Sequence, residues 1–283
     1  MKQSVFKTEA GRDKVRAYYN NVLSRFPFGQ QYVDTSCGKT FLLTAGSPEN
    51  EPVILLHGSV SNSAFWFPEM MALSGQYRVY AADIPGEAGN SCEYRPDLMT
   101  DDFALWLKDV LDALGISRAT IIGNSLGGWM ALKFATAFPE RAKRLALIAA
   151  SGIAPIRLSF LQGVTHGKQA GDPVKVTTEI LGGQGIPKEV LDFMNLMAES
   201  YNPIEELPLF TDEQLRRLVM PVLFIGGEED AIIDAQSSIE RLMRLVPYAQ
   251  THLLPGCGHA VFNAMDYLAP FLGETAEQEA KRL

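Results

Sequence analysis

The sequence predicts an α/β fold: a mostly parallel central sheet with helices on both faces and a helical insertion late in the chain. Three observations predict it. Short apolar runs end repeatedly in glycine, segments of helical periodicity lie between them, and one interval, 152–219, interrupts the alternation. The chain has 283 residues, 47% of them hydrophobic and 20% charged, which suits a folded chain with a substantial core and excludes disorder. A net charge of -8 leaves no basic stripe for phosphates, so neither a nucleic-acid partner nor an anionic membrane surface is expected.

Residues 9–24 place Val15, Tyr18, Tyr19 and Leu23 at helical spacing behind Thr8, a capping residue, with Gly11 as a weak point. This predicts an amphipathic helix within an N-terminal extension over residues 1–30. The extension lacks the continuous apolar core of a signal peptide, and no apolar run reaches transmembrane length, so a cytoplasmic location is expected. Three cysteines, Cys37, Cys92 and Cys257, are odd in number and separated in sequence, which suits reduced thiols.

From "KTFLLTAG" onward the pattern changes. The runs "PVILLHG" (52–58), "YRVYAADIPG" (77–86), "ATIIGNS" (119–125), "RLALIAAS" (144–151), "PVLFIGG" (221–227) and "THLLPG" (251–256) do not alternate apolar with polar. Strands buried on both faces look like this. Helices are predicted over 100–115, opening at Thr100 and Asp101 and closing at Gly115, and over 126–140 and 234–247, stopped by Pro139 and Pro247. The core is therefore expected over residues 31–151 and 220–283. The interval 152–219 reads as a helical cap, or lid, with Gly-rich punctuation ("LGGQG") and an apolar group of Val190, Phe193, Met194 and Met197.

The chemistry centres on "TIIGNSLGGW". Ser125 stands between Gly123 and Gly127, where an apolar strand gives way to a helical segment beginning at Leu126. In so sharp a strand-turn-helix the residues two before and two after the serine approach each other, and glycine removes the Cβ atoms that would clash. The serine hydroxyl is held clear of the sheet, above a positive helix N-terminus. Such a hydroxyl needs a base, and a base that becomes imidazolium needs a carboxylate. His259 lies in "PGCGHA" after the last predicted strand, and Asp230 lies in "GGEEDAIID" after the strand before it, with Glu228, Glu229 and Asp234 nearby. An oxyanion requires backbone donors. The Leu126 N–H follows the nucleophile, and "LLHGSVSNSAFW" offers Ser59 after His57 and Gly58, with Val60 as the weaker choice.

Taken together in this order, "LLHGSVSNSAFW", "DIPGEAGNS", "GNSLGG", "GGEEDAI" and "GCGHAV" resemble the signature segments of the α/β-hydrolase family over residues 38–273. The N-terminal helix, the "FGQ" leader and "FTDEQLRRLVMPVLFIGGEED" are most similar to bacterial carboxylesterases of the naproxen-esterase type. The resemblance implies the α/β-hydrolase fold and cofactor-free hydrolysis of small, apolar, uncharged carboxylic esters through an acyl-enzyme, beneath a mobile cap. It also implies Ser125, Asp230 and His259 as catalytic residues, in the chain order Ser, Asp, His. Asp230 is favoured among the acids because it fits the Gly-Glu-x-Asp pattern.

Bland alternatives accompany these readings. His57 is expected to brace the loop backbone rather than act as a base; His166 and His252 carry no expected role, and Cys257 reads as loop packing. Asp234 suits a helix cap. Phe160, Phe193, Met194, Met197, Tyr201 and Phe210 are core residues of the cap by default, although some would line an acyl pocket; Trp66 and Trp129 are similar cases. The acidic group at 228–234 lacks calcium-loop spacing and no His/Cys cluster has zinc spacing, so neither a metal nor another cofactor is expected. A small-molecule ester is the expected partner, with the chain a monomer or homodimer. Rival activities on the same fold are carbon-carbon bond hydrolysis, cofactor-free perhydrolysis and ligand sensing as a signalling receptor. Val60 and Ala260 stand where the carbon-carbon hydrolases carry an extra pair of small residues in the "HG" loop and an aromatic after the histidine, which weakens the first.

Overall fold

Along each central strand, successive side chains enter opposite layers of core, which is why the runs read as continuously apolar. Val53 and Leu55 of one strand face one layer while Ile54 and Leu56 face the other; Leu145 and Leu147 alternate with Ala146 and Ile148, and Val222 and Phe224 with Leu223 and Ile225. The computed structural model describes residues 4–160, 162, 181, 182, 186–204, 206–275 and 278. His166 and residues 183–185 of the Gly-rich stretch lie outside these.

Eight strands form one sheet: β1 (Gly29–Thr35), β2 (Gly38–Ala45), β3 (Glu51–Leu56), β4 (Tyr77–Ala82), β5 (Ala119–Asn124), β6 (Ala142–Ile148), β7 (Val222–Gly227) and β8 (Gln250–Leu254). Their order is β1-β2-β4-β3-β5-β6-β7-β8. Strand β2 is antiparallel to both β1 and β4, and every later pairing is parallel. The parallel strands consequently deliver their C-terminal loops to one edge of the sheet.

Helices cover both faces, as expected. One layer holds α3 (Asp102–Ala113), α4 (Leu126–Ala137), the short α6 (Asp212–Leu215) and α7 (Ala235–Leu245). The other holds α1 (Glu9–Leu23), α2 (Phe67–Leu73), α5 (Lys188–Ser200) and α8 (Met265–Leu272). Thr8 caps α1 by accepting from the Gly11 N–H, and Asp234 caps α7 by accepting from the Ser237 N–H. At α3 the expected cap differs in detail. Asp101 occupies the N-cap position without a side-chain capping bond, and the Thr100 hydroxyl accepts from the Asp102 N–H instead.

The N-terminal segment and the 152–219 interval meet. Tyr18 of α1 stacks on Phe193 of α5 with ring centroids 4.5 Å apart. Phe6 and Tyr201 form an antiparallel bridge, with the Lys7 N–H donating to the Ser200 carbonyl at 2.9 Å and the Asn202 N–H donating to Val5 at 2.9 Å. A Cβ on Gly11 would stand 3.2 Å from that of Ser200, so the glycine read as a weak point in α1 also allows this close approach. Phe193, Met194, Met197 and Tyr201 belong to the packed layer shared with α1. Cys37, Cys92 and Cys257 are not joined in disulfides.

Candidate active site

Ser125 sits between β5 and α4 with φ 51° and ψ -110°, a backbone conformation that a non-glycine residue adopts only when its surroundings impose it. Those surroundings are identifiable. The Ser125 N–H donates to the Ile148 carbonyl at 2.9 Å, and its carbonyl accepts from the Trp129 and Ser151 N–H groups. A Cβ on Gly127 would stand 2.0 Å from the Leu56 carbonyl oxygen, and one on Gly128 2.4 Å from the Ala150 Cβ. The turn thus packs backbone against backbone, and the glycines are the only residues that fit.

His259 follows β8 and Asp230 follows β7. The loops carrying them are joined by backbone bonds: the Glu229 N–H donates to the Cys257 carbonyl at 2.9 Å, and the Glu228 N–H donates to Leu254 at 3.0 Å. Gly227 permits the approach, because a Cβ there would lie 2.2 Å from the Cys257 carbonyl oxygen. His259 Nε2 stands 3.0 Å from Ser125 Oγ, and His259 Nδ1 stands 2.8 Å from Asp230 Oδ2. The other carboxylate oxygen, Asp230 Oδ1, accepts from the Ile232 and Ile233 N–H groups at 2.8 and 3.0 Å. Asp230 is only 1% exposed, so these three donors replace the water a carboxylate would otherwise hold. With a carboxylate at Nδ1, the neutral imidazole carries its proton there and presents the Nε2 lone pair to the hydroxyl. Ser125, His259 and Asp230 are therefore brought into one hydrogen-bonded chain.

Leu126 is the first residue of α4, and its N–H has no carbonyl within the helix to bond. Across from it, residues 58–60 form the loop that follows β3. The Gly58 Cα approaches Ser125 closely enough that an added Cβ would lie 3.5 Å from the serine Cβ. Beneath this loop His57 is 1% exposed. Its Nε2 accepts from the Ile84 N–H at 3.0 Å, so the proton is on Nδ1, which donates to the Gly58 carbonyl at 2.8 Å. Burial pushes this imidazole below its usual pKa, against the pull of Asp83, and keeps it a neutral brace.

Above the loop, the Tyr201 hydroxyl accepts from the Val60 N–H at 2.9 Å and lies 3.3 Å from Ser59 Oγ, while donating to Glu87 Oε2 at 2.8 Å. The Val60 N–H, the weaker of the two loop donors considered above, is thus already engaged. Among the described residues no protein acceptor takes the Ser59 N–H. Sequence patterns missed both Glu87 and the placement of Tyr201. A glutamate in a glycine-rich turn reads as solvated, yet Glu87 is 2% exposed.

The remaining candidates lie apart from this chain. Asp234 caps α7, His252 packs its ring 4.5 Å from that of Tyr267, and the Trp129 indole N–H donates to the Pro208 carbonyl at 2.8 Å. The Cys257 thiol faces the Gly258 and Ala260 carbonyls. Among the described residues no group of three or more His, Cys, Asp or Glu could hold a metal ion, and no helix is long and apolar enough to cross a membrane.

Comparison with known proteins places this geometry in context. Residues 53–271 match the alpha/beta hydrolase family. The carboxylesterase YbfK of Bacillus subtilis is 32% identical over 265 residues, covering 85% of this chain and 86% of that protein. The uncharacterized carboxylesterase nap of the same organism is 32% identical over 268 residues, with 89% of each chain covered. The crystal structure of naproxen esterase (carboxylesterase NP) from Bacillus subtilis superposes with a TM-score of 0.79 at 26% identity, covering 93% of this chain and 98% of that one.

Proposed function

The chain belongs to the α/β hydrolase family, and on that premise we propose that it hydrolyses small, apolar, uncharged carboxylic esters through an acyl-enzyme on Ser125. The observation that carries this reading is the chain from Ser125 Oγ through His259 to Asp230, with contacts of 3.0 and 2.8 Å. The relatives named carboxylesterases agree with it.

In the first half-reaction Ser125 Oγ bonds to the ester carbonyl carbon as its proton passes to His259 Nε2. The imidazolium that forms is stabilised by Asp230, and the carbonyl oxygen, now anionic, is met by the N–H groups of Ser59 and Leu126. The C–O bond to the alcohol then breaks and the alkoxide takes the proton from Nε2. In the second half-reaction a water gives a proton to Nε2 and its oxygen attacks the acyl carbon. Collapse returns the electron pair and the proton to Ser125 and releases the carboxylic acid. In this proposal the interval 152–219 acts as the cap, and its Tyr201 reaches the loop at 58–60.

The test is a panel of p-nitrophenyl esters of graded acyl length, with Ser125→Ala and a fluorophosphonate alongside. Turnover should fall by about three orders of magnitude or more in S125A without loss of folding, and the probe should modify Ser125. Substantial esterase activity in S125A, or modification elsewhere, would reject Ser125 as the nucleophile.

A further inference from the structure

The oxyanion loop is gripped from the 152–219 side by groups that the reaction scheme above does not use. Val60 has φ 53°, in a region that a β-branched residue enters only under constraint. The contact that the structure supplies is the Tyr201 hydroxyl on its N–H. Because a peptide is planar, holding the Val60 N–H orients the Ser59–Val60 peptide. That peptide shares the Ser59 Cα with the Gly58–Ser59 peptide, which carries the Ser59 N–H and whose carbonyl is held by His57 and Ser61.

Tyr201 is itself immobilised. Its side chain is fully buried, its neighbours Ser200 and Asn202 are bonded to Lys7 and Val5, and its hydroxyl proton is committed to Glu87. Glu87 in turn faces Arg95, whose Nη2 lies 3.4 Å from Oε1 and also donates to the Gly86 and Asn202 carbonyls at 2.7 Å. The hydroxyl has one proton to give and lone pairs to accept with, and the direction of the first bond decides the second: donating to Glu87 leaves it an acceptor for Val60.

From this chain we infer that Tyr201 and Glu87 are positioning residues for the oxyanion hole, holding the Ser59 N–H in register through the Val60 N–H. The inference rests on the ester-hydrolase reading given above. The N-terminal segment acquires a role in it, since residues 5–7 clamp the backbone of Tyr201. Burial pushes the Tyr201 phenol well above its usual pKa, so it stays a proton donor throughout the working range.

The test uses the full chain and p-nitrophenyl butyrate. Y201F removes the hydroxyl, E87L removes the acceptor that orients it, and E87Q keeps an acceptor oxygen. Y201F and E87L should each lower kcat about 10-fold or more with KM within about twofold of the parent, since the lost stabilisation belongs to the transition state. The double variant Y201F/E87L should be within about threefold of the poorer single variant, because both interrupt one chain. E87Q should retain kcat within about threefold. Parental kcat in a folded Y201F, or multiplicative losses in the double variant, would overturn the inference while leaving Ser125 as the nucleophile. An inactive parent would remove the ester-hydrolase reading and this inference together. Should Y201F fail to fold, E87L and E87Q read the same link, and equal kcat in those two would overturn it.

Discussion

A Cβ on Gly123 would stand 2.2 Å from the carbonyl oxygen of Gly127, so the two glycines that flank Ser125 are separated by less than one methyl group would need. The obstructing atoms are backbone in both directions, with Gly127 barred by Leu56 and His57, and no side-chain rotation relieves either clash. Gly123→Ala should therefore lower stability by about 3 kcal/mol or more, beyond the usual cost of overpacking, and displace the serine. Urea midpoints and p-nitrophenyl ester turnover measure the two effects. A parental midpoint with parental turnover would contradict the packing.

Four acidic side chains crowd residues 228–234, and the structure gives two of them different partners. Asp230 accepts from His259 Nδ1 and two backbone N–H groups, whereas Asp234 accepts from the Ser237 N–H at the start of α7. Asp230→Asn should cut kcat about 100- to 10,000-fold, since an amide can favour the wrong imidazole tautomer. Asp234→Ala should leave kcat unchanged and cost about 1 kcal/mol of stability, the worth of an N-cap. Kinetics and denaturant titrations on the pair decide the assignment, and the reverse pattern would move the acid role to Asp234.

His57 is held by bonds at both ring nitrogens, neither of which faces Ser125. Replacing it with alanine strands the Ile84 N–H and removes one of the two donors to the Gly58 carbonyl, the Ser61 hydroxyl being the other. The expected cost is about 2–4 kcal/mol, from a buried unpartnered donor together with a cavity. The urea midpoint reads this directly, and an unchanged midpoint would show that the imidazole braces nothing.

The apolar runs were legible because strands buried on both faces have no polar side, and the turn around Ser125 was legible because only glycine fits there. Other features were hidden for physical reasons. Strand β1, "GQQYVDT", lies at the sheet edge with its side chains exposed or half-buried, so it carries no apolar run. Helix α2 spans only seven residues, too few to establish a period. The run at 77–86 is longer than β4, which stops at Ala82, because the loop that follows is buried as well and carries Ile84 and Pro85 beside the hydrogen-bonded Asp83. Tyr201 carried an aromatic signal that fits a core position as well as it fits a hydrogen-bonding one. Its partner Glu87 is distant in sequence, and no local pattern joins them.

Glu87 offers a thermodynamic test independent of turnover. Burial pushes its carboxyl up from the ordinary 4.5 to about 7, against the lowering effects of Arg95 and of the Tyr201 hydroxyl, the charged and titratable groups that face it. The folded state therefore holds this proton more tightly than the unfolded state. Between about pH 4.5 and 7 it binds more protons than the unfolded chain, so this group's contribution makes stability fall as pH rises through that window and then level off. The full swing is up to about 3 kcal/mol, the free-energy equivalent of the difference between the two values. Glutamine at position 87 cannot titrate. The stability of the parent relative to E87Q, from urea titrations at pH 5 and pH 8, should then be greater at the lower pH. An offset equal at both would mean that the carboxyl ionises in the folded protein as readily as it does in water.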